Sequence, residues 1–545
     1  MNSVKKAQEW LKECEKELYL GLKPEKTILP SRVLDIGLDT TSTKICLETW
    51  DHCSREYGFY TTLSYCWGSG QTHKLTRTTL QDYKSTIPID DLPLTIRHAI
   101  LLTRALNVRY LWVDSLCIVQ DDEMDTAREI SKIPEVYENS LLTISAASAH
   151  DCQQGFLGVR PPASAHTISF RLGFKAGSCS QGSIYLTERD CDYDPGAEPT
   201  KRRAWTLQEI VLSPRTLVFG MRQLRWVCRF WQDSGGWYED SFQKETLPVS
   251  MYFNSGIGIY KLPREEWFSS DWTSELGAFM SLVTEYTSCQ LSFPEDKLPA
   301  FSGIAGKYGS AFGDRYLAGL WQSYLPCLLL WHVGDRDGSY GREILLPRPI
   351  QYRAPSWSWA SVDGRVDWED TIFYKRSDYR KIKILNGSVR LINESAPYGA
   401  VSSGTLTIRG PLQAARFKQV YGSIRWDSSK GDCSPKEASS AVDLPRWHYS
   451  MNVKPDTTED WTTLLAPDRG LWLFLVGSPV DDDPSSVNNK LQIITGLILA
   501  SVDLQSFRRI GYFSCTPLNV WEPPLAEYDW NEFLGKFKLR SINIE

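Results

Sequence analysis

Apolar and polar positions in the first half of the chain alternate in a way that predicts strands followed by helices. The runs 60–65 (YTTLSY) and 109–113 (RYLWV) are short, apolar and rich in β-branched or aromatic residues, as in buried strands. Between them, apolar residues recur at helical spacing over 92–106, behind two acidic residues. A polar helix over about 122–138 and a third strand at 141–146 repeat the cycle. Repeated units of this kind predict a mainly parallel sheet flanked by helices.

The same pattern sets the expected extent of the first domain. Residues 201–212 form the next predicted helix, and strands follow at 215–219 and 223–228. We therefore expect an α/β domain over residues 45–230. The preceding residues 1–44 are expected to form an amphipathic helix and a lead-in, because charged residues alternate there with large apolar ones.

The second half of the chain has a different pattern. Residues 231–345 are mainly helical in pattern and are expected to form a connecting region. From 346 to 545, short strand-like runs separated by Gly, Pro, Asn and Asp predict a β-rich domain of the sandwich type. These runs are 382–385, 388–393, 404–409, 492–499 and 537–543. Residues 425–465, rich in Ser, Asp, Lys and Pro, are expected to form a long surface loop or to be partly disordered.

Composition restricts the partners of the protein. With 545 residues, a net charge of −6 and no basic cluster, the chain gives no reason to expect a nucleic-acid partner. The 13 cysteines include no C-x-x-C pair, so we expect free thiols and no metal site. No apolar run reaches the ~20 residues that a membrane span requires, and the N-terminus has no apolar signal segment. We therefore expect a cytoplasmic protein without a membrane span.

Candidate functional side chains follow the predicted strands at the points where these strands end. Ligands of open parallel sheets bind beyond such carboxyl ends. The helix at 201–212 adds a pair of side chains that are four residues apart and therefore share a face. The candidates are Ser64, Tyr65, Trp67 and Gly68 after the first strand, Asp114 and Gln120 after the second, and Trp205 and Glu209 on the helix.

Several of these residues also have an ordinary structural interpretation. Trp67 can simply pack in the hydrophobic core, and Asp114 can cap a helix or a turn. A lone acid on a short helix, such as Glu209, is usually an exposed solubilising charge. Gly68-Ser69-Gly70 can shape a phosphate-binding nest, but Lys74 stands at the wrong distance for a P-loop. The residues alone leave both interpretations open.

Four longer segments carry a family resemblance. The strings YTTLSYCWGSG (60–70), LPLTIRHAILLTRALNVRYLWVDSLCIVQDD (92–122), VYENSLLTISAASAHDCQQGFL (136–157) and RAWTLQE (203–209) resemble the successive blocks of the fungal heterokaryon incompatibility (HET) domain, in their usual order. The resemblance implies an effector of non-self recognition and fungal innate immunity that triggers programmed cell death. It also implies an incompatibility partner protein.

The HET domain in turn distantly resembles the Toll/interleukin-1 receptor (TIR) domain, which has a flavodoxin-like fold. Here LSYCWG is similar to the opening TIR strand, and RAWTLQE is similar to the W-C-x-x-E helix of TIR NAD hydrolases. This likeness implies that Glu209 is catalytic and that NAD is a substrate rather than a cofactor. It also implies a homo-oligomer on activation. The alternative is a non-enzymatic signalling module in the same pathway.

The likeness leads to a geometric prediction. The carboxyl ends of the three strands should meet at one sheet edge, and the helix at 201–212 should begin at that edge. The Glu209 carboxylate should then open into a cleft shared with Trp67, Gly68 and Asp114. Trp205, one turn earlier, should line that cleft.

Overall fold

A computed structural model describes most of the chain and divides it into two units, Met1–Ile257 and Gly258–Glu545. The residues it describes are 2–16, 24–50, 56–69, 71–158, 169–176, 180–187, 198–221, 224–228, 242–245, 273–334, 345–368, 377–379, 381–420, 423–426, 449–466, 470–479, 494–503, 505–517 and 535–545.

The first unit consists of strands and helices that alternate along much of its length. Its strands are β1 (Thr27–Ile28), β2 (Arg32–Asp35), β3 (Lys44–Thr49), β4 (Tyr57–Gly58), β5 (Tyr60–Ser64), β6 (Ile87–Pro88), β7 (Tyr110–Trp112), β8 (Leu142–Ser145), β9 (Ser169–Ala176), β10 (Ser180–Thr187), β11 (Arg215–Phe219), β12 (Leu224–Cys228) and β13 (Phe242–Glu245). Its helices are α1 (Asn2–Lys16), α2 (Leu80–Ser85), α3 (Leu94–Ala105), α4 (Asp114–Cys117), α5 (Glu123–Glu138) and α6 (Ala204–Leu212), with 3-10 turns at Ile89–Asp91 and Thr200–Arg202.

Nine of these strands form one sheet in the order β13-β12-β11-β8-β5-β7-β2-β3-β6. At its centre, β5 pairs in parallel with β7 and with β8, as predicted, and β8 pairs in parallel with β11. Every residue of β5, β8 and β11 is buried, which explains their nearly continuous apolar or β-branched composition.

The prediction of a mainly parallel sheet is wrong in its extent. Within the described strands, β11–β12, β2–β7, β2–β3 and β3–β6 are antiparallel, so the sheet is mixed. The antiparallel strands on the β6 side come mostly from the chain before β5. They include very short segments such as β6, whose two residues are too few to show the alternation of apolar and polar positions that predicts a strand.

The helices begin and end close to the predicted positions. The helix α3 starts at Leu94 rather than at the acidic pair, because Ile89–Asp91 forms a separate 3-10 turn. It ends before Asn107, which adopts φ 61° and so leaves the helical path. The helix α5 starts after Asp122, whose side chain accepts hydrogen bonds from two backbone amides of the first turn.

The alternation of side chains along β5 assigns each face of the central sheet to a helix. The Thr61 hydroxyl bonds the Thr103 hydroxyl of α3 at 2.8 Å. Tyr60 lies on the opposite face and donates to the Val136 carbonyl of α5 at 2.7 Å. Because side chains two residues apart share a face, Ser64 lies on the face covered by α5.

The predicted N-terminal helix packs against the first unit. Ala7 and Trp10 on α1 are buried, and the Trp10 ring lies 5.9 Å from the Trp226 ring of β12. The apolar side of this amphipathic helix therefore contributes to the core of the unit, as its charge alternation indicates.

The second unit consists of helices followed by a larger β structure. Its helices are Thr273–Thr287, Ser302–Phe312, Leu325–Leu328 and Thr458–Leu465, with 3-10 turns at Pro294–Lys297, Pro299–Phe301, Gln322–Tyr324 and Trp359–Ser361. Its strands are Tyr316–Leu317, Leu320–Trp321, His332–Val333, Val366–Asp367, Ser377–Asp378, Lys383–Leu391, Val401–Ala415, Phe417–Val420, Ser423–Trp426, Tyr449–Pro455, Leu471–Pro479, Ile494–Ser501, Ser506–Pro517 and Lys538–Ile544.

Five strands of the second unit close into a barrel, so the sandwich prediction is wrong. Val401–Ala415, Leu471–Pro479, Ile494–Ser501, Ser506–Pro517 and Lys538–Ile544 each pair with two others of the set, and the ring closes. The long first strand makes this possible, because its two halves bond different neighbours. Closure removes exposed strand edges.

The predicted surface loop at 425–465 also needs correction. Tyr449–Pro455 is a strand, and Thr458–Leu465 is a helix capped by the Thr457 hydroxyl. Residues 427–448 of that segment lie outside the described part of the chain. No helix within the described ranges has the length and apolarity needed to cross a membrane.

Candidate functional site

The loops that follow β5 and β8 are joined at the carboxyl edge of the sheet. The Ala146 amide donates to the Ser64 carbonyl at 2.9 Å, and the Cys152 amide donates to the Trp67 carbonyl at 3.3 Å. Gly68 adopts φ +63°, and a Cβ atom at this position would meet the Asp151 Cβ at 2.3 Å. A glycine is therefore required where the two loops touch.

Asp114 and Trp67 meet at this edge, as predicted. The Trp67 indole Nε1 donates to Asp114 Oδ2 at 2.9 Å, and the Ser115 amide donates to Asp114 Oδ1 at 2.6 Å. Burial raises the pKa of Asp114, while Arg203 and these hydrogen bonds lower it and only partly offset the rise. The Lys74 ammonium lies 5.1 Å from the centre of the Trp67 ring.

Tyr65 and Gln120 both form hydrogen bonds with the residues around Asp114. The Tyr65 hydroxyl donates to Ser115 Oγ at 2.9 Å and accepts from Gln71 Nε2 at 3.1 Å. Gln120 Nε2 donates to the Asp114 carbonyl at 3.1 Å and to the Ile118 carbonyl at 3.0 Å. The amide donors of Gln120 are thus directed at the protein backbone.

Glu209 lies inside the protein rather than on its surface. Its side chain projects from α6, and only 8% of the residue is exposed. The pKa of Glu209 is raised from 4.5 to about 7, because burial, with a smaller contribution from Asp114, outweighs the lowering by Arg203 and by the hydroxyls of Ser64 and Tyr137. The carboxylate oxygen Oε2 is buried and has no hydrogen-bond partner among the residues that the structure describes.

Arg203 connects the two carboxylates. It stands directly before α6, and its Nη1 donates to the Tyr65 carbonyl at the end of β5. Burial lowers the pKa of Arg203, but Glu209, Cys66 and Asp114 raise it more, so the guanidinium stays charged. One cation therefore lies within the electrostatic reach of two buried acids.

Trp205 lies on the same helix as Glu209, one turn earlier. It lies on the first turn of α6, half-buried, and packs against the hydrophobic core of the first unit. The rest of α6 is buried almost all round, which matches its apolar sequence.

Comparison with known families identifies this part of the chain. The family model described as "Heterokaryon incompatibility protein (HET)" matches residues 60–209. The chain carries a HET domain. The match begins at the first residue of β5 and ends at Glu209, so it contains every candidate site residue. No curated protein and no solved structure matches the chain.

The HET domain brings the predicted residues together in two connected groups. Trp67, Asp114 and Gln120 form one group through hydrogen bonds, and Ser64 and Glu209 form the other. Arg203 joins them, because its charge acts on both Asp114 and Glu209.

Sequence reasoning missed two residues that act on the Glu209 carboxylate. Arg203 is the first residue of RAWTLQE, six residues before Glu209, and a positive charge so close to the acid in the sequence could have indicated an electrostatic partner. Tyr137, whose hydroxyl donates to the Leu63 carbonyl at 3.3 Å and lies near Glu209, has no signal in the sequence, because only the packing of α5 on β5 brings it there.

The arrangement can stabilise positive charge. The site has a net negative charge when Asp114 and Glu209 are both ionised, because the Arg203 guanidinium balances only one of the two carboxylates. The raised pKa of Glu209, at about 7, means that near neutral pH this charge is present in part of the molecules. A buried carboxylate of this kind interacts with a cation more strongly than an exposed one does.

Proposed function

We propose that this HET-domain protein is an effector of fungal non-self recognition that triggers programmed cell death by hydrolysing NAD. The observation that carries the proposal is Glu209. It is a buried carboxylate with an unpaired oxygen and a pKa of about 7, beside the end of a central parallel strand. A buried acid that serves only the fold is normally paired, and this one keeps an oxygen available.

The chemistry of NAD suits such a site. The nicotinamide ring is a cationic pyridinium, so it leaves as a neutral molecule and needs no general acid. The sugar carbon left behind acquires oxocarbenium character, and a fixed carboxylate stabilises that charge. In this proposal Glu209 supplies the carboxylate, and Arg203 keeps part of it ionised.

The other candidate residues would bind the dinucleotide in this proposal. Ser64 borders the Glu209 carboxylate and Tyr65 borders Asp114, which is held by Trp67 and Gln120 and adds negative charge. Gly68, without a side chain, would let the pyrophosphate approach the backbone. The half-buried rings of Trp67 and Trp205 offer faces for a base.

The proposal also specifies where and how the protein acts. NAD would be its substrate in the cytoplasm, and a homo-oligomer would form on activation after contact with an incompatibility partner protein. The TIR likeness of the α6 glutamate supports the enzymatic form of the proposal. A HET domain that acts only as a signalling module is the alternative, and the following test separates the two.

The test is expression of the full chain in a fungal host. Wild-type protein should lower cellular NAD before viability falls, whereas Glu209→Gln should do neither, because it keeps the shape and removes the charge. Glu135→Gln, an exposed glutamate of α5, is the matched control and should behave as wild type. Death at the wild-type rate with Glu209→Gln would refute the enzymatic proposal and favour the signalling module.

A further inference from the structure

Two serines on neighbouring strands lie on the side of the sheet that faces Glu209. Ser64 of β5 is in parallel register with Ser145 of β8. Two residues earlier on the same face, Thr62 and Thr143 are also in register, and their hydroxyls bond at 2.6 Å. The pleat therefore directs both serines to the face on which Ser64 approaches the Glu209 carboxylate.

All three groups are buried, and none of them is saturated. Ser64 is 1%, Ser145 is 0% and Glu209 is 8% exposed. Within the described residues, Ser145 Oγ and Glu209 Oε2 have no hydrogen-bond partner, and the Ser64 hydroxyl faces only the Glu209 carboxylate, whose pKa it lowers. Buried polar groups in proteins are almost always paired, so an unpaired hydroxyl and an unpaired carboxylate oxygen on the same face, with Ser64 between their elements, indicate a site for a small polar molecule.

We propose that Ser64, Ser145 and Glu209 hold the water molecule that attacks the sugar carbon during NAD hydrolysis. This inference rests on the proposed function and adds Ser145 to it as a positioning residue. A water molecule suits the three groups, because it donates one hydrogen bond to a carboxylate and exchanges others with two hydroxyls.

The step balances in atoms and charge. The bond between the sugar C1′ and the nicotinamide nitrogen breaks, and its electron pair leaves with neutral nicotinamide. The water oxygen forms the new bond to C1′, and Glu209 accepts a proton from that water. The products are nicotinamide, ADP-ribose and one proton, which Glu209 then releases to solvent.

The inference predicts how the enzyme chooses between water and an alcohol. If the serines position the water, the loss of the Ser145 hydroxyl should let methanol compete more successfully for the same carbon. The loss of one hydrogen bond corresponds to a factor of about 5. The measured quantity is the ratio of methyl ADP-ribose to ADP-ribose formed from NAD in buffer with added methanol.

The variants separate the hydroxyl from the volume of the side chain. Ser145→Thr and Ser145→Val have nearly the same shape and differ in the hydroxyl, and Ser145→Ala replaces the valine variant if that one does not fold. Thr216→Val is the control. Thr216 is also buried with an unpaired hydroxyl, but its partner in register is Thr143, two residues further from the carboxyl edge.

The expected result is a methanol product ratio about fivefold higher in Ser145→Val than in Ser145→Thr, with Thr216→Val equal to wild type. Equal ratios in all variants, with NAD turnover intact, would overturn the role of Ser145 and leave the proposed function standing. The absence of nicotinamide release from wild-type protein would overturn both.

Discussion

Glu209→Gln should stabilise the protein, and the gain should depend on pH. The carboxyl has a pKa of about 7 in the folded chain against an ordinary value of 4.5, because burial opposes its charge. The folded state therefore binds more protons than the unfolded state between these values. The contribution of this group to stability is complete below pH 4.5 and is lost as pH rises through about 7.

The size of the effect follows from that difference. At 1.36 kcal/mol for each pKa unit, ionised Glu209 destabilises the fold by about 3 kcal/mol at pH 8 and by under ~1 kcal/mol at pH 5. Glutamine has the shape of the neutral acid and removes this cost. For a unit of this size, ~3 kcal/mol corresponds to a rise in Tm of about 6–12 °C.

The assay is thermal unfolding of the wild type, Glu209→Gln and Glu135→Gln at pH 5 and pH 8. The Tm of Glu209→Gln should exceed that of wild type clearly at pH 8 and only slightly at pH 5. The exposed Glu135 control should show no pH-dependent difference. A Glu209→Gln protein that is equally stable or less stable at pH 8 would refute the conclusion that a charge is held in the interior against its desolvation.

Three further predictions concern activity and the surrounding loops. Arg203→Gln should move the acid limb of the pH profile of NAD cleavage to higher pH by at least about one unit, because the guanidinium lowers the pKa of Glu209. Arg202→Gln, at the exposed neighbouring residue, should leave the profile in place. Identical profiles for Arg203→Gln and wild type would exclude Arg203 from this role. Gly68→Ala should destabilise the fold by roughly 1–3 kcal/mol in urea unfolding, because alanine would have to adopt φ +63° and its Cβ would meet Asp151. An unchanged urea midpoint of unfolding would contradict this contact. Activity for each molecule should rise steeply with protein concentration if activation is homo-oligomeric, and a linear dependence would indicate a self-contained site.

The centre of the fold could be predicted from the sequence, while its borders could not. Strands such as Tyr60–Ser64 are buried on both faces, so their apolar runs are readable, and their parallel order follows from the helices between them. The antiparallel strands on the flank and the closure of the second-unit barrel depend on pairings between distant segments. The register of Val401–Ala415 with both Leu471–Pro479 and Lys538–Ile544 leaves no local trace in the sequence.

The candidate site was predictable in position but not in environment. The rule that ligands bind beyond carboxyl strand ends brought Ser64 and Asp114 to the same edge. The expectation that a lone acid on a short helix is exposed does not hold for Glu209, and the sequence contained a signal against it. The helix AWTLQEIVL is apolar almost all round, as buried helices are, so its acid lies in the interior. The direction of the Arg203 guanidinium and the unpaired hydroxyl of Ser145 follow only from packing.

The central claim is that the Glu209 carboxylate makes this HET domain an NAD hydrolase. The most direct test is nicotinamide release from NAD by purified full-length protein at high concentration, with Glu209→Gln and Glu135→Gln measured beside it. The account predicts release by wild type and Glu135→Gln, and a loss of at least about 100-fold in Glu209→Gln. Equal release by well-folded wild type and Glu209→Gln, or none by wild type in its assembled form, would contradict it.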